Sequence, residues 1–137
     1  MTSPTHKIPC LNLYAAKLFD SALDEFGAFF AFGKDQFEKR QTPGVEYVGL
    51  GSGLTVPKLK KEKFNDRLDK NYEIALAKLK KDHSDVAIIK YELANYECYY
   101  SGDPFDAVRV LVQRGYSEQQ IKKIYETENE RRNALDD

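Results

Sequence analysis

The stretch Gly27 to Pro57, GAFFAFGKDQFEKRQTPGVEYVGLGSGLTVP, constrains the fold more than any other part of the chain. It is the only segment whose pattern reads as β-sheet. Ala28-Phe29-Phe30-Ala31-Phe32 is an aromatic run without polar alternation, which predicts a strand covered on both faces at the buried centre of a sheet. Gly33 to Arg40 reads as a short helix with Phe37 inward, and Thr42-Pro43-Gly44 as a turn. Val45 to Leu50 and Leu54 to Val56 form the arms of a hairpin across Gly51-Ser52-Gly53, stopped by Pro57.

The remainder reads as helix. Leu11, Tyr14, Leu18, Ala22 and Phe26 recur at three- and four-residue spacing, predicting a first helix over residues 10–26 that ends at Gly27. Residues 61–80 predict a long amphipathic helix with Phe64, Leu68, Tyr72, Ala75 and Leu79 inside. Ser84 caps a helix running to Tyr100, with Val86, Ile89, Leu93, Tyr96 and Tyr100 as its stripe. Gly102-Asp103-Pro104 places a capping Asp before a proline at the first helical position. Tyr116 to Ile121 combines a Ser117/Gln120 capping box with a Tyr116/Ile121 staple. Beyond Tyr125 the chain is nearly all polar, so the last helix is expected to project into solvent or fray. The fold class is therefore α+β: a small antiparallel sheet of about three strands packed against about five helices, with a helical C-terminal half. Residues 1–9 read as a mobile tail and 10–135 as a single α+β domain.

A chain of 137 residues with 42% hydrophobic and 31% charged content has an ordinary globular composition. Its longest apolar run is too short to span a bilayer, so no membrane association is expected. Net charge is −1 but unevenly spread. Residues 58–81 carry nine Lys/Arg against four Asp/Glu, whereas residues 82–106 carry one Lys against six Asp/Glu. Such a bipolar surface suits binding or self-association, or is simply two solvated helix faces. Cys10 and Cys98 stand far apart in no CxxC pattern, consistent with buried thiols in a reducing compartment. His6 and His83 are the only histidines, and neither has ligand-spaced neighbours, so no metal or other cofactor is expected.

Four features invite a functional reading. The cluster Gly49-Leu50-Gly51-Ser52-Gly53 could cradle phosphate, but a strand follows it where a phosphate loop needs a helix, and a hairpin turn explains the glycines. The basic stretch Lys58, Lys60, Lys61, Lys63 and Arg67 could neutralise nucleic-acid phosphates, although Glu62, Asp66, Asp69 and Glu73 interrupt it. The last two helices, joined at Gly115-Tyr116-Ser117, have the outline of a helix-turn-helix whose outward face carries Glu118, Gln119, Lys122, Lys123 and Glu126. The acids on that face oppose DNA, and a structural helical hairpin is the simpler reading. Tyr91, Glu92, Asn95 and Tyr99 share a face beside the core stripe of the 84–100 helix. Tyrosines bury area with little entropy loss, so this face reads either as the amphipathic flank of a core stripe or as a protein-binding surface. It lacks a nucleophile and a paired base, so the chain is not expected to be an enzyme.

The blocks EFGAFFAFGKDQFEK, GVEYVGLGSGLTVP, ELANYECYYSGDPFDAV and GYSEQQI, spanning roughly residues 23–125, resemble a family of small uncharacterised proteins of bacteriophages and mobile elements of Bacteroidetes-type hosts. The matching positions are Gly27, Phe29 and Phe30; Gly44, Val45, Tyr47 and Val48; Val56 and Pro57; Glu92, Leu93, Asn95 and Glu97; and Gly102 and Asp103. The resemblance implies a phage-type accessory protein made in a bacterial cytoplasm and transfers no catalytic residue. The expected function is non-catalytic binding of a host protein or ribonucleoprotein, possible targets including a component of bacterial immunity. Nucleic-acid binding through residues 58–81 is the alternative, and a small enzyme or nucleotide binder using Gly51 to Gly53 comes third.

Overall fold

The structure is a computed structural model that describes residues 3–136, Asp136 by its backbone alone. It is α+β. In chain order the elements are α1 (Leu11–Phe26), β1 (Phe29–Phe30), α2 (Lys34–Arg40), β2 (Tyr47–Gly51), β3 (Leu54–Pro57), a 3-10 turn (Lys58–Lys60), α3 (Lys61–Asp82), α4 (Asp85–Asn95), α5 (Cys98–Ser101), α6 (Phe105–Gln113) and α7 (Glu118–Asp136). Among the described residues there are thus seven α-helices rather than about five. The chain groups into two compact units: Asn12–Ala75, and Leu76 onward together with the N-terminal residues through Leu11.

The first unit holds the sheet, an antiparallel three-stranded array in the order β1-β3-β2. The hairpin forms where the glycines demand it. Gly51, Ser52 and Gly53 all take positive φ, a conformation that glycine adopts without steric penalty. The aromatic run behaves differently from the expectation. β1 is two residues long and lies at the sheet edge, pairing Phe29 with Thr55 and Phe30 with Leu54. Pleat alternation then sends Phe29 into the interior, while Phe30 is 39% and Phe32 73% exposed. The sheet centre is β3, whose Val56 is fully buried. Val56 joins Ala22, Ala28 and Phe64 in the core, with Phe19, Leu23, Phe26 and Leu68 packed around them. On α3 the inward residue is Asn71, not Tyr72. Asn71 is tolerated there because its amide donates to the Leu18 carbonyl at 3.2 Å.

The Phe32 ring lies across the hairpin turn, where a Cβ on Gly53 would come within 2.6 Å of it. Gly53 also has φ of 82°. Gly53→Ala is therefore expected to lower stability by about 1–2 kcal/mol through combined backbone strain and ring displacement, read as a fall in Tm.

The second unit is helical. Ile88, Ile89, Leu93, Cys98, Ala107, Leu111 and Ile121 are its fully buried apolar residues besides Leu79 of α3. Punctuation sets the boundaries. The Ser84 hydroxyl accepts from the Ala87 N–H at 3.1 Å, Asp103 accepts from Phe105 N–H at 2.9 Å, and Ser117 accepts from Gln120 N–H at 3.1 Å. The staple residues Tyr116 and Ile121 are both buried. Residues 1 and 2 of the expected tail lie outside the described residues. From Thr5 the chain is tied down: Thr5 N–H donates to Asp82 at 2.9 Å, and the His6 carbonyl lies 2.8 Å from His83 Nε2.

The 84–100 helix is two helices. Glu97 sits in the left-handed region at φ 54°, ending α4 and starting α5 in a new direction. The twist carries Cys98 into the core and leaves Tyr96 38% and Tyr100 93% exposed, so neither tyrosine continues the stripe. Val86 is outward as well, and the buried face of α4 is Ile88, Ile89, Glu92 and Leu93.

Candidate interaction surface

The break at Glu97 also builds a cleft between α5 and the end of α7. It has a volume of about 340 Å³ and is lined by Tyr99, Tyr100, Asn129, Arg132, Asn133 and Leu135. Tyr99 forms its wall: the ring stacks on Tyr125 at 5.6 Å between centroids and 17° between planes. The Arg132 guanidinium lies 4.1 Å from the Tyr99 ring centroid on this structure's α7. Burial, with the nearby Glu128 carboxylate, raises the Tyr99 hydroxyl to about 12, so it stays protonated. Tyr100 and Leu135, 93% and 72% exposed, are the projecting apolar groups of the cleft.

Arg132 is held from behind by Glu128. That carboxylate is buried, yet three cations reach it: Arg131 at 2.5 Å, Lys90 at 3.4 Å and Arg132 at 3.4 Å. Hydrogen bonds from Arg131, and the charges of Arg131 and Lys90, outweigh desolvation and hold Glu128 at about 2. The C-terminal helix thus packs through a charged residue on the stretch expected to project or fray.

The four residues Tyr91, Glu92, Asn95 and Tyr99 are not presented to solvent as one patch. Glu92 is buried, with its carboxylate 3.4 Å from the equally buried Arg114 guanidinium. Tyr91 is half-buried, and its hydroxyl is raised to about 12, first by a hydrogen bond with Cys10 and then by burial. Asn95 is exposed, and half-buried Tyr99 turns to α7. Cys98 is buried, which pushes its thiol up and away from nucleophilic reactivity. Sequence reasoning missed Tyr100, Arg132, Asn133 and Leu135 as a group. A signal for Glu128 was present: Ile121, Ile124, Tyr125 and residue 128 continue one helical stripe, with arginines three and four residues beyond.

The basic stretch is partly committed. Arg67 is engaged by Glu25 in two hydrogen bonds and lies 5.4 Å from the Phe26 ring centroid. Lys58 pairs with Glu46 at 3.8 Å. Lys60, Lys61 and Lys63 are exposed. The glycine cluster is a hairpin turn followed by β3, without the helix that a phosphate loop requires. Glu118, Gln119, Lys122, Lys123 and Glu126 face solvent on α7. Among the described residues no group of three or more His, Cys, Asp or Glu could hold a metal ion, and no helix is long and apolar enough to cross a membrane.

A family model described as a family of unknown function (DUF7659) matches residues 16–137, and the chain belongs to that family. No curated protein and no solved structure gives a significant match.

Proposed function

We propose that this member of the family is a non-catalytic, phage-type accessory protein that binds a host protein or ribonucleoprotein in the bacterial cytoplasm, with inhibition of an immunity component as its outcome. The observation that carries the reading is the cleft between α5 and α7, where Tyr100 and Leu135 project beside the Arg132, Asn129 and Asn133 side chains. Exposed aromatic and aliphatic groups beside an arginine and two amides are the composition of a protein-binding hot spot. Exposed Asn95, the last residue of the neighbouring α4, would extend the contact. The resemblance of residues 23–125 to phage and mobile-element proteins supports the cellular setting.

Tyr100→Ala/Leu135→Ala tests this surface, because both side chains are exposed and the fold should survive their loss. Pull-down from a bacterial host lysate is expected to recover a discrete partner with the native chain and at least tenfold less with the variant, about 1.4 kcal/mol or more of binding energy. Equal recovery by both chains, or no discrete partner, sinks the reading.

The alternative, nucleic-acid binding through the basic stretch, is favoured by exposed Lys60, Lys61 and Lys63 and weakened by the commitment of Lys58 and Arg67. It requires that Lys61→Ala/Lys63→Ala reduce retention in a low-salt gel shift.

A further inference from the structure

The first unit carries a second surface, independent of the tyrosine cleft. Phe30 and Phe32 lie nearly parallel, 9° apart with centroids at 6.2 Å, and Phe32 is 73% exposed. Two features hold Phe32 in place. Its ring rests on the turn at Gly53, the one position there where a side chain would collide with it. Its N–H donates to the Gln36 side-chain oxygen at 2.8 Å, which directs the Gln36 amide group to the same place. Phe19 supports Phe30 from beneath, with centroids 6.1 Å apart. An open groove of about 370 Å³ is lined by these two phenylalanines with Gln36, Lys39 and Arg40. None of the ion pairs found among the described residues uses Lys39 or Arg40.

Basic groups continue away from the aromatic pair. A second groove of about 340 Å³ shares Arg40 and reaches Lys60. A third, of about 510 Å³, shares Lys60 and ends at Lys58 and Leu59. Asp24 lines the middle groove, and Asp20 and Asp24 line a further groove with Phe30 and Arg40. The Arg40 guanidinium lies 5.6 Å from the Phe29 ring centroid. Glu46 pairs with Lys58, so the cations on the track outside those ion pairs are Lys39, Arg40 and Lys60.

We propose that this track binds an unpaired nucleic-acid strand, with a base stacked on Phe32 and the backbone phosphates running past Lys39, Arg40 and Lys60. A solvent-facing ring beside cations outside the ion pairs found matches both parts of such a ligand: any base offers a π-face, and the phosphates offer regularly spaced negative charge. A duplex keeps its bases stacked on one another and cannot use the ring. The Gln36 amide group lies where it can donate to a base edge. The surface takes only Lys60 from the basic stretch.

The test is fluorescence anisotropy of the full chain with labelled oligo(dT) and oligo(rU) of about twelve nucleotides, and with a duplex of the same length. Both sugars share the recognised chemistry, and the two arms show which is preferred. The expected result is binding of a single strand, with the duplex markedly weaker. Log K should fall against log salt with a slope of about −2, from three neutralised phosphates at about −0.7 each. Phe32→Ala should weaken binding about tenfold while leaving the slope unchanged, and Phe32→Leu should behave alike, since it keeps apolar bulk without the ring face. Lys39→Ala/Arg40→Ala should flatten the slope. Lys61→Ala/Lys63→Ala and Tyr100→Ala/Leu135→Ala should leave binding unchanged, which separates this site from both other surfaces. No binding of either oligonucleotide at low salt, equal binding of the duplex, or full affinity in Phe32→Ala would each overturn the proposal.

Discussion

Arg114→Ala is expected to destabilise the chain by about 3–5 kcal/mol, the largest effect of any single substitution considered, because it leaves the buried Glu92 carboxylate without its partner. Both side chains are more than nine-tenths buried, and they join α4 to the end of α6 at 3.4 Å. Burial keeps bulk water and counterions away from the carboxylate that the guanidinium leaves behind. Truncation also removes the arginine stem from the core. The loss is comparable with the whole stability of many single domains, so Tm should fall by about 10–20 °C. Urea denaturation checks the size. The double variant Glu92→Leu/Arg114→Leu should recover a large part of the loss, because it removes the unpaired charge as well as the pair. A loss below about 1 kcal/mol in Arg114→Ala would mean that Glu92 finds other solvation.

The second large effect belongs to Glu128. Glu128→Gln should cost about 1.5–3 kcal/mol at neutral pH, the range for hydrogen bonds to a charged group, because it removes the charge that gathers Lys90, Arg131 and Arg132. The three cations are half-exposed, so the cost should shrink at high salt. The pH dependence has a definite sign. The folded carboxyl titrates at about 2, below its ordinary value of 4.5. Its contribution is therefore fully present above about 4.5 and is lost as pH falls toward 2. Urea midpoints measured between neutral pH and about pH 3 should show the native chain and Glu128→Gln converging as the medium becomes acidic. A gap that stays constant down to the lowest pH would show that folding does not lower the Glu128 pKa. Because Arg132 bridges Glu128 and the Tyr99 ring, the same variant should loosen the cleft wall.

Much of the secondary structure was legible because local signals carried it. Asp103, Ser84 and Ser117 each accept the hydrogen bond that their place before an apolar run predicts. The glycine turn at 51–53 obeys the same local logic, since positive φ is a property of the residue and its immediate neighbours. Other placements were not legible, or only in part. Hydrophobicity set Phe29 and Phe30 alike, but only strand order made β1 an edge and put Phe30 outside. The stripe through Tyr96 and Tyr100 assumed an unbroken helix, and one left-handed residue, Glu97, ended it. Asn71, Glu92 and Glu128 are polar, a class that ordinarily faces solvent, yet each is buried against a specific partner. The partners of Asn71 and Glu92 are remote in sequence, whereas Glu128 had a signal in the stripe through Ile121, Ile124 and Tyr125.

The amino-acid sequence by itself determined the α+β class, the hairpin and most helix boundaries, because propensity, capping and turn geometry act over a few residues. Tertiary structure alone decided what faces solvent. It paired Glu92 with Arg114 and gathered three cations on Glu128. It also turned Tyr100 and Phe32 outward, at the two surfaces where binding is proposed. Burial of a charge depends on a partner brought from another helix, and exposure of an aromatic ring depends on no neighbour arriving to cover it.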